Sequence, residues 1–355
     1  MSTDIDVETL RQWLAEGRPL TILDVRPAEQ RAEWAIPGSV HADVYEAVKA
    51  GNDAAVESLS LPQEVPVVAV CALGRTSKKA AEILGKKGLE TYSLAGGMNA
   101  WSVSWNVAEV PLAIAGASLL QIRRAGKGCL SYLLASGGEA VVIDPSLQPE
   151  VYLKLAEERA SRVKVVLDTH VHADHISRSK FLVALAGAAS EPLSEGGEIR
   201  IGALVLKALH TPGHTPESTC YLLEDNAVFT GDTLFLDSVG RPDLLAGLDP
   251  REQAKRLYLS LRRLLKLSNG TWVLPAHYPS PPAFDGVPIA ATLGDLRHRN
   301  KYLQASESDF LALVSAGGNA PPPNFETIVE ANRTGILPEG DWQSLEAGPN
   351  RCARA

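Results

Sequence analysis

Cysteine is scarce in this sequence, and the spacing of the few cysteines excludes two common frameworks. Four occur among the 355 residues, Cys71, Cys129, Cys220 and Cys352, and no two of them form a CxxC pair. Isolated cysteines of this kind indicate neither a disulfide scaffold nor a zinc knuckle. We expect Cys129 and Cys220 to lie in the core, and the sequence assigns no role to Cys352.

Long apolar runs and excess positive charge are also missing. No run approaches the ~18 apolar residues that a membrane-spanning helix needs. The opening stretch MSTDIDVETLRQWLAEG is acidic and has no apolar core, so we expect no signal peptide. With 34 Lys and Arg against 42 Asp and Glu, the formal charge is −8. That balance argues against nucleic acid or an anionic membrane as a partner. We therefore expect a cytoplasmic protein.

The remaining composition is that of a globular protein with two domains. At ~150 residues per domain, this length suggests two folding units. In the first hundred residues, apolar runs such as TILDV (21–25) and VVAVC (67–71) alternate with helical patterns. This alternation predicts a small α/β domain with a mostly parallel sheet. We predict domains at 1–103 and 117–355, joined by a linker at 104–116.

The second domain begins with a predicted antiparallel meander, LLQIRRAGKGCLSYLLASGGEAVVID (119–144), in which glycines mark the turns. Four later β-rich runs end in polar residues. VKVVLDT precedes His170, LVLKALHTPG precedes His214, AVFTG precedes Asp232, and TWVLPA precedes His277. Because open α/β architectures bind ligands at the carboxyl ends of strands, we expect these side chains to converge.

The segment DTHVHADHIS (168–177) indicates a metal site. It places His172, Asp174 and His175 directly after His170. Imidazole and carboxylate groups together suit zinc, iron, copper or manganese. Five of the eight histidines lie in HVHADH and HTPGH, so unrelated surface histidines explain the pattern poorly.

The ordered motifs THVHADH, HTPGHTPEST, FTGDTLF and PAH resemble those of the metallo-beta-lactamase superfamily over about 119–300. This resemblance implies a four-layer αββα sandwich in the second domain. A fold does not determine a reaction, and two branches of the superfamily carry the same seven ligand positions.

The two branches differ in how many metal ions those positions would hold. Persulfide dioxygenases would bind one Fe(II) per chain through His170, His214 and Asp232, which leaves three coordination positions open for oxygen activation. The other four residues would then orient the ligands or bind water. Glyoxalase II-like hydrolases would bind two zinc ions, in two sets joined by a bridging Asp232: His170, His172 and His214; Asp174, His175 and His277.

Two features of the sequence favour the dioxygenase branch. SVGRPDL (238–244) and the tail, FLALVSAGGNAPPPNFETIVEANR (310–333) with GPNRCA (348–353), resemble that branch, and the helical thioester-binding domain of glyoxalase II is not evident. Arg241 is a candidate contact for an anionic substrate, although a structural ion pair explains it equally well. The prolines after His277 in PAHYPSPPAFDG depart from the dioxygenase pattern, so the carrier thiol, glutathione or another, stays open.

The first domain carries its own reactive group. Cys71 ends a predicted strand and begins CALGRTS (71–77), which a helix follows. Backbone N–H groups and the helix N-terminus would favour a thiolate there, and Gly74, Arg75 and Thr76 could add donors.

Three stretches resemble, in order, the motifs of a single rhodanese domain over about 5–103: LDVRPAEQRAEWAIPGSVHADV, CALGRTS and LAGGMNAW. The resemblance implies that Cys71 carries sulfane sulfur and that Asp24 and Arg26 brace its loop. Many active loops read Cys-x-x-Gly-x-Arg, whereas Arg75 comes one place early.

Together the two resemblances predict a sulfurtransferase fused to a persulfide dioxygenase. The expected small molecules are thiosulfate or sulfite, a low-molecular-weight thiol and its persulfide, and O2. The alternatives are a dinuclear zinc thioester hydrolase fused to a rhodanese domain, and an N-terminal domain that serves only for docking. The direction of sulfur transfer and homo-oligomer formation stay open.

Overall fold

Apolar strands alternating with helices form the first domain of the computed structural model, which describes residues 3–190, 192–245, 247–316, 320–348 and 350–353. Five strands pair in parallel in the order β1-β5-β4-β2-β3. The elements of this domain are β1 (Thr3–Ile5), α1 (Val7–Ala15), β2 (Thr21–Asp24), α2 (Ala28–Glu33), β3 (Val40–His41), α3 (Tyr45–Lys49), α4 (Ala54–Glu57), β4 (Val67–Val70), α5 (Arg75–Lys86), β5 (Thr91–Leu94) and α6 (Gly97–Trp101). Buried clusters lie on both faces of the sheet, so β2 and β4 are buried along their whole length.

The second domain contains two further sheets. Its elements are β6 (Asn106–Glu109), β7 (Ala117–Arg124), β8 (Cys129–Ser136), β9 (Glu139–Ile143), α7 (Pro149–Glu158), β10 (Arg162–Leu167), α8 (Ser179–Ala186), β11 (Glu198–Ile201), β12 (Leu204–His210), β13 (Thr219–Leu223), β14 (Ala227–Gly231), α9 (Pro250–Leu264), β15 (Trp272–Pro275), β16 (Ala291–Thr292), α10 (Leu293–Arg299), α11 (Lys301–Gln304), α12 (Glu307–Ser315), α13 (Phe325–Thr334) and α14 (Trp342–Glu346). The sheet orders are β10-β9-β8-β7-β6 and β11-β12-β13-β14-β15-β16.

These two sheets pack face to face between layers of helices. One core contains buried residues from both sheets, such as Leu134 and Phe229. A second core joins the six-stranded sheet to α9 through α12, and a third joins the five-stranded sheet to α7 and α8. The predicted fold classes, an α/β domain followed by an αββα sandwich, are therefore confirmed.

The segment 104–116, predicted as a linker, is partly a strand. Its residues 106–109 form β6, which pairs antiparallel with β7 at the edge of the second domain's sheet. Trp101 of the first domain lies 6.1 Å, ring centroid to ring centroid, from Phe284 of the second. Arg124 Nε donates to the Ser102 carbonyl at 2.8 Å. The connection between the domains is thus packed and hydrogen-bonded rather than a free tether.

The C-terminal arm is helical and interrupted by prolines, and its residues 317–319 and 349 lie outside the described ranges. Its last helix, α14, contacts both domains. Gln343 Nε2 donates to the Asn99 carbonyl at 2.6 Å, and Glu346 Oε2 accepts from Arg124 Nη1 at 2.8 Å. Within the described ranges, none of the helices has both the length and the apolar character that a membrane crossing requires.

Candidate metal centre and cysteine loop

The carboxyl ends of four strands bring the predicted ligands together. β10, β12, β14 and β15 each lead into one part of the site, and all seven predicted ligand side chains are buried, with at most 5% exposed. The turn after β14 requires glycine, because Gly231 has a φ of 53° and a Cβ there would lie 2.4 Å from Thr169 Oγ1.

Three of the ligand atoms form one cluster that suits a metal ion. His170 Nε2 lies 3.6 Å and His214 Nε2 lies 3.5 Å from Asp232 Oδ2. None of these three atoms has a hydrogen-bond partner, although all are buried. Because buried polar atoms nearly always have a partner, a cation among the three is the simplest explanation. The donor set thus fits a divalent metal ion.

The other ring nitrogens fix which atom each histidine offers. His170 Nδ1 lies 2.9 Å from Thr169 Oγ1, and His214 Nδ1 donates to the Arg241 carbonyl at 2.8 Å. Each imidazole therefore presents Nε2 to the cluster, as metal-binding histidines do when the second nitrogen is hydrogen-bonded. Burial and the neighbouring His172 hold the pKa of His170 well below its usual value, which favours the neutral, metal-binding form.

The remaining predicted ligands lie in a second group beside the first. His277 Nε2 lies 3.1 Å from Asp174 Oδ2, and His277 Nδ1 donates to Asp232 Oδ1 at 2.6 Å. His175 Nδ1 lies 3.0 Å from Asp174 Oδ1. Asp232 thus faces the first cluster with one oxygen and the second group with the other.

Cys129, expected only to lie in the core, is buried but also reaches this second group. Its Sγ lies 3.3 Å from Asp174 Oδ2 and 3.9 Å from His175 Nδ1. Burial and the Asp174 carboxylate raise the pKa of Cys129, whereas His175 and His277 lower it by more, so that it falls to about 7. Its position follows from the hairpin of β7 and β8, which the sequence pattern does not orient.

Asp144 is a second residue that the sequence did not single out. Its Oδ1 accepts from the Thr169 backbone N–H at 2.7 Å and lies 3.2 Å from His172 Nε2, while Oδ2 accepts from Thr169 Oγ1 at 2.9 Å. Burial lowers the pKa of His172, but Asp144 and Asp168 raise it well above its usual value. The sequence feature that could have pointed to Asp144 is its position at the end of the apolar run VVID, directly after β9.

The C-terminal arm closes the site from one side. Asn332 Nδ2 donates to the carbonyls of His172 and His175, each at 2.8 Å, and Glu346 Oε1 accepts from the Ile176 N–H at 2.9 Å. The Cys352 thiol lies within 4.8 Å of donor atoms of Asp232 and His277. Cys352, to which the sequence assigned no role, therefore lies at the metal centre.

Arg241, the predicted substrate contact, is buried and paired with Asp243. Its Nε lies 2.8 Å from Asp243 Oδ1 and its Nη2 lies 3.1 Å from Asp243 Oδ2. Its backbone carbonyl orients His214, as described above. This geometry gives Arg241 a structural task at the site, and substrate binding stays a prediction.

In the first domain, the Cys71 thiol lies within the predicted loop. Gly74 N–H donates to Sγ at 3.1 Å, and Ser77 Oγ, which the sequence reading missed, donates at 3.3 Å. Gly74 has a φ of 85°, and a Cβ there would lie 2.9 Å from the Gly96 nitrogen. Arg75 and Thr76 begin α5, with the Arg75 side chain exposed.

The buried pair of Asp24 and Arg26 supports the first domain from another direction. Arg26 Nη2 donates to Asp24 Oδ2 and to the Trp34 carbonyl, both at 2.7 Å. The Val25 N–H, between the two, donates to the Val70 carbonyl directly before Cys71. The pair thus braces the segment that pairs with the strand leading into the cysteine loop.

Two family models match the chain in succession. A rhodanese-like domain model matches residues 6–104, and a model of the metallo-beta-lactamase superfamily matches residues 124–191 and 184–277. The predicted fusion of these two folds is therefore confirmed.

Individual relatives resemble the second domain. The human mitochondrial persulfide dioxygenase ETHE1 is 30% identical over 58% of this chain and 84% of its own length. The hydroxyacylglutathione hydrolase of Anaeromyxobacter dehalogenans (strain 2CP-C) is 36% identical over 45% of this chain and 65% of its own length. The crystal structure of ETHE1 from Myxococcus xanthus superposes with a TM-score of 0.55 at 31% identity, covering 61% of this chain and 97% of that one.

Proposed function

The chain belongs to the metallo-beta-lactamase superfamily and carries a rhodanese-like domain ahead of that fold, and from this premise we propose that it is a bifunctional enzyme of sulfur metabolism. Cys71 transfers sulfane sulfur to a small thiol. The cluster of His170, His214 and Asp232 holds one Fe(II) and oxidises the resulting persulfide with O2. In the overall reaction, RSSH, O2 and H2O give RSH, sulfite and two protons.

The three-atom cluster is the observation that carries the proposal. Two imidazoles and one carboxylate oxygen would hold Fe(II) while leaving room for other ligands, and Fe(II) held in that way would supply oxygen activation. The protein's part is to hold the donors. Thr169 and the Arg241 carbonyl fix the rings of His170 and His214, and His277 holds the second oxygen of Asp232.

The C-terminal arm supports oxidation over thioester hydrolysis. Persulfide dioxygenases resemble this chain over most of their own length, 84% for the human enzyme and 97% for the Myxococcus xanthus structure. In this chain the C-terminal arm packs against the site through Asn332, Glu346 and Cys352.

Two hydrogen bonds to Cys71 support sulfur transfer by the cysteine loop. The Cys71 thiolate attacks the outer sulfur of a donor such as thiosulfate, the S–S bond of the donor breaks, and sulfite leaves with the bonding electron pair. Gly74 N–H and Ser77 Oγ, which donate to Sγ, lie where they can stabilise the sulfur anion. A small thiolate then attacks the outer sulfur of the Cys71 persulfide and leaves as the low-molecular-weight persulfide.

Oxygen consumption tests the metal-dependent half. Iron-loaded protein supplied with glutathione persulfide should consume O2 and form sulfite in equal amounts, and His214→Ala should abolish both. Thioester cleavage by the zinc-loaded protein, without oxygen uptake from the persulfide, would contradict the proposal and favour the dinuclear hydrolase.

Two reciprocal variants test the division of labour. Cys71→Ser should abolish oxygen uptake driven by thiosulfate and a thiol but leave uptake with supplied persulfide unchanged. His214→Ala should abolish oxygen uptake with either substrate but leave sulfur transfer from thiosulfate to the thiol unchanged, because transfer by Cys71 does not need the metal cluster. Loss of both activities in Cys71→Ser would refute the division. Formation of thiosulfate from persulfide would show that the transfer runs in the reverse direction.

A further inference from the structure

The helices that cover the six-stranded sheet carry an excess of positive charge. Residues 250–304 contain nine of the 34 Lys and Arg residues of the chain but only three of its 42 Asp and Glu residues. All nine cations lie on or beside α9, α10 and α11: Arg251, Lys255, Arg256, Arg262, Arg263, Lys266, Arg297, Arg299 and Lys301. The total charge of −8, which argues against an anionic membrane as a partner, therefore does not describe this surface.

The three helices form one continuous layer, which we call the basic layer. Their apolar residues belong to the buried core that they share with the six-stranded sheet, so their charged residues lie on the outer side. Arg262 Nη2 donates to the Leu303 carbonyl at 2.5 Å, which joins α9 to α11. Arg297 Nη2 of α10 donates to the Leu267 carbonyl, just beyond the end of α9, at 3.3 Å. The cations thus belong to a single surface.

Most of this charge is not neutralised within the protein. Three of the nine cations form ion pairs: Lys255 with Glu252, Arg263 with Glu195, and Arg299 with Asp237. In the part of the chain that the structure describes, the other six have no carboxylate within ion-pair distance. Of these six, Arg256, Lys266 and Lys301 are also exposed. Their charges remain available to attract an anionic surface.

An exposed aliphatic residue lies among the cations of α9. The Leu259 residue is 64% exposed. Arg256, Leu259, Arg263 and Lys266 follow one another at spacings of three or four residues, which places them along one side of the helix. An aliphatic side chain flanked by Lys and Arg suits the boundary between lipid headgroups and acyl chains. We propose that the basic layer binds the surface of a membrane that contains anionic lipids. The proposed oxidation does not involve this surface, so the inference goes beyond that function.

Two other polyanionic partners fit the layer less well. Single-stranded nucleic acid is commonly bound by stacking bases on exposed aromatic rings. Tyr302 is 1% exposed, and the half-buried Tyr258 ring packs against Phe310 and Arg262. An acidic protein partner would usually need a packed apolar centre. Within residues 250–304, all of which the structure describes, the three helices expose only one large apolar residue, Leu259.

Vesicle sedimentation of the full chain tests the proposal. At about 0.1 M salt, we expect binding to vesicles made of equal parts phosphatidylglycerol and phosphatidylcholine, and none to pure phosphatidylcholine. Binding should be lost at about 1 M salt, because the Debye length falls to ~3 Å. The measurement needs neither metal nor substrate, so its failure would leave the proposed oxidation untouched.

A pair of matched double variants locates the binding surface. Arg256→Gln combined with Lys266→Gln should weaken binding about 25-fold, since each Lys or Arg near an anionic surface contributes about fivefold. Lys49→Gln combined with Lys86→Gln makes the same change in charge at exposed positions of the first domain and should leave binding within about twofold. All four positions are exposed, so the fold should tolerate these changes, and circular dichroism verifies this.

Three results would overturn the proposal. The first is no binding to the phosphatidylglycerol vesicles, and the second is equal weakening by the two double variants. The third is tighter binding to a mixed-sequence DNA duplex than to the vesicles at the same salt concentration, which would assign the basic layer to nucleic acid instead.

Discussion

Asp144 supports the metal cluster without belonging to it. Its two carboxylate oxygens hold the backbone and hydroxyl of Thr169, and that hydroxyl meets the ring of His170. The residue adopts a φ of 54°, a conformation that favours glycine and asparagine, so the fold accepts local strain to place this carboxylate.

We expect Asp144→Asn to weaken metal binding at the first cluster about 10–100-fold, since partners behind metal ligands have effects of that size. Asparagine has nearly the same volume as aspartate and tolerates the positive φ at this position, but it offers one acceptor fewer to Thr169. Isothermal titration with Fe(II) measures the change, and Asp225→Asn, at an exposed position, is the matched control. Equal affinity in both variants would show that Asp144 has no such role.

Ser77 supports the cysteine loop in the way that Asp144 supports the metal cluster. We expect Ser77→Ala to slow sulfur transfer from thiosulfate about tenfold or more, because a hydrogen bond to a charged group contributes about 1.5–3 kcal/mol. The rate of Cys71 alkylation at a fixed neutral pH should also fall, because the sulfur loses a hydrogen-bond donor. Ser58→Ala, an exposed replacement in the same domain, should change neither quantity.

The site residues that could be predicted from the sequence differ from those that could not in where they lie along the strands and helices. His170, His214 and Asp232 follow strand ends, and strands of one sheet bring their ends together in any fold of this type. Cys129, Asp144 and Ser77 occupy ordinary positions in a strand, a turn and a helix. Their roles depend on which neighbour each side chain faces, and this is determined by packing between elements distant in sequence.

At the scale of elements, α14 stabilises the site through one buried carboxylate. Glu346 pairs with Arg124 at 2.8 Å and with Arg178 at 2.9 Å, and all three side chains are at most 5% exposed. We expect Glu346→Gln to lower the free energy of unfolding by about 3–5 kcal/mol, because two guanidinium groups would remain buried without their counter-charge. Urea denaturation measures this, with the exposed Glu339→Gln as control.

The same carboxylate predicts a response to acid. Burial raises the pKa of Glu346, but Arg124 and Arg178 lower it by more, so it lies below its ordinary value. A depressed pKa gives stability that is fully present above the unfolded value of about 4.3 and is lost as the pH falls through the folded value. Below about pH 4 the unmodified protein should therefore lose stability more steeply than Glu346→Gln. Parallel slopes would contradict this assignment.

β6 shows where prediction of elements from sequence reaches its limit. Its four residues, NVAE, contain only two apolar residues, Val107 and Ala108, and these are adjacent, so the segment has no alternating pattern that would distinguish a strand from a linker. The strand exists because the edge of β7 offers it hydrogen-bonding partners. The longer runs of β7 through β9 carry their own period and turn glycines, and these were predicted correctly as an antiparallel meander.

At the scale of the whole molecule, the two halves have separate cores and separate candidate sites. Each domain has buried cores of its own, and the cluster of His170, His214 and Asp232 lies wholly in the second. We therefore expect a chelator to abolish oxygen uptake but leave sulfur transfer by Cys71 within about twofold of its original rate. Assays of both activities before and after dialysis against the chelator, followed by Fe(II) re-addition, measure this. Loss of sulfur transfer would show that the metal supports the first domain.

The contact between α14 and the first domain has a consequence for biosynthesis. Asn99 and its partner Ser344 are separated by 245 residues, with the entire sandwich between them. A ribosome delivers the rhodanese-like domain first, and domains generally fold as units in that order. That domain therefore forms its sheet before α14 has been synthesised. Its surface around Asn99 stays exposed until translation has passed Ser344. During this interval it is a folded nascent domain with an unfinished surface, and a chaperone that binds there would have to leave before α14 can dock.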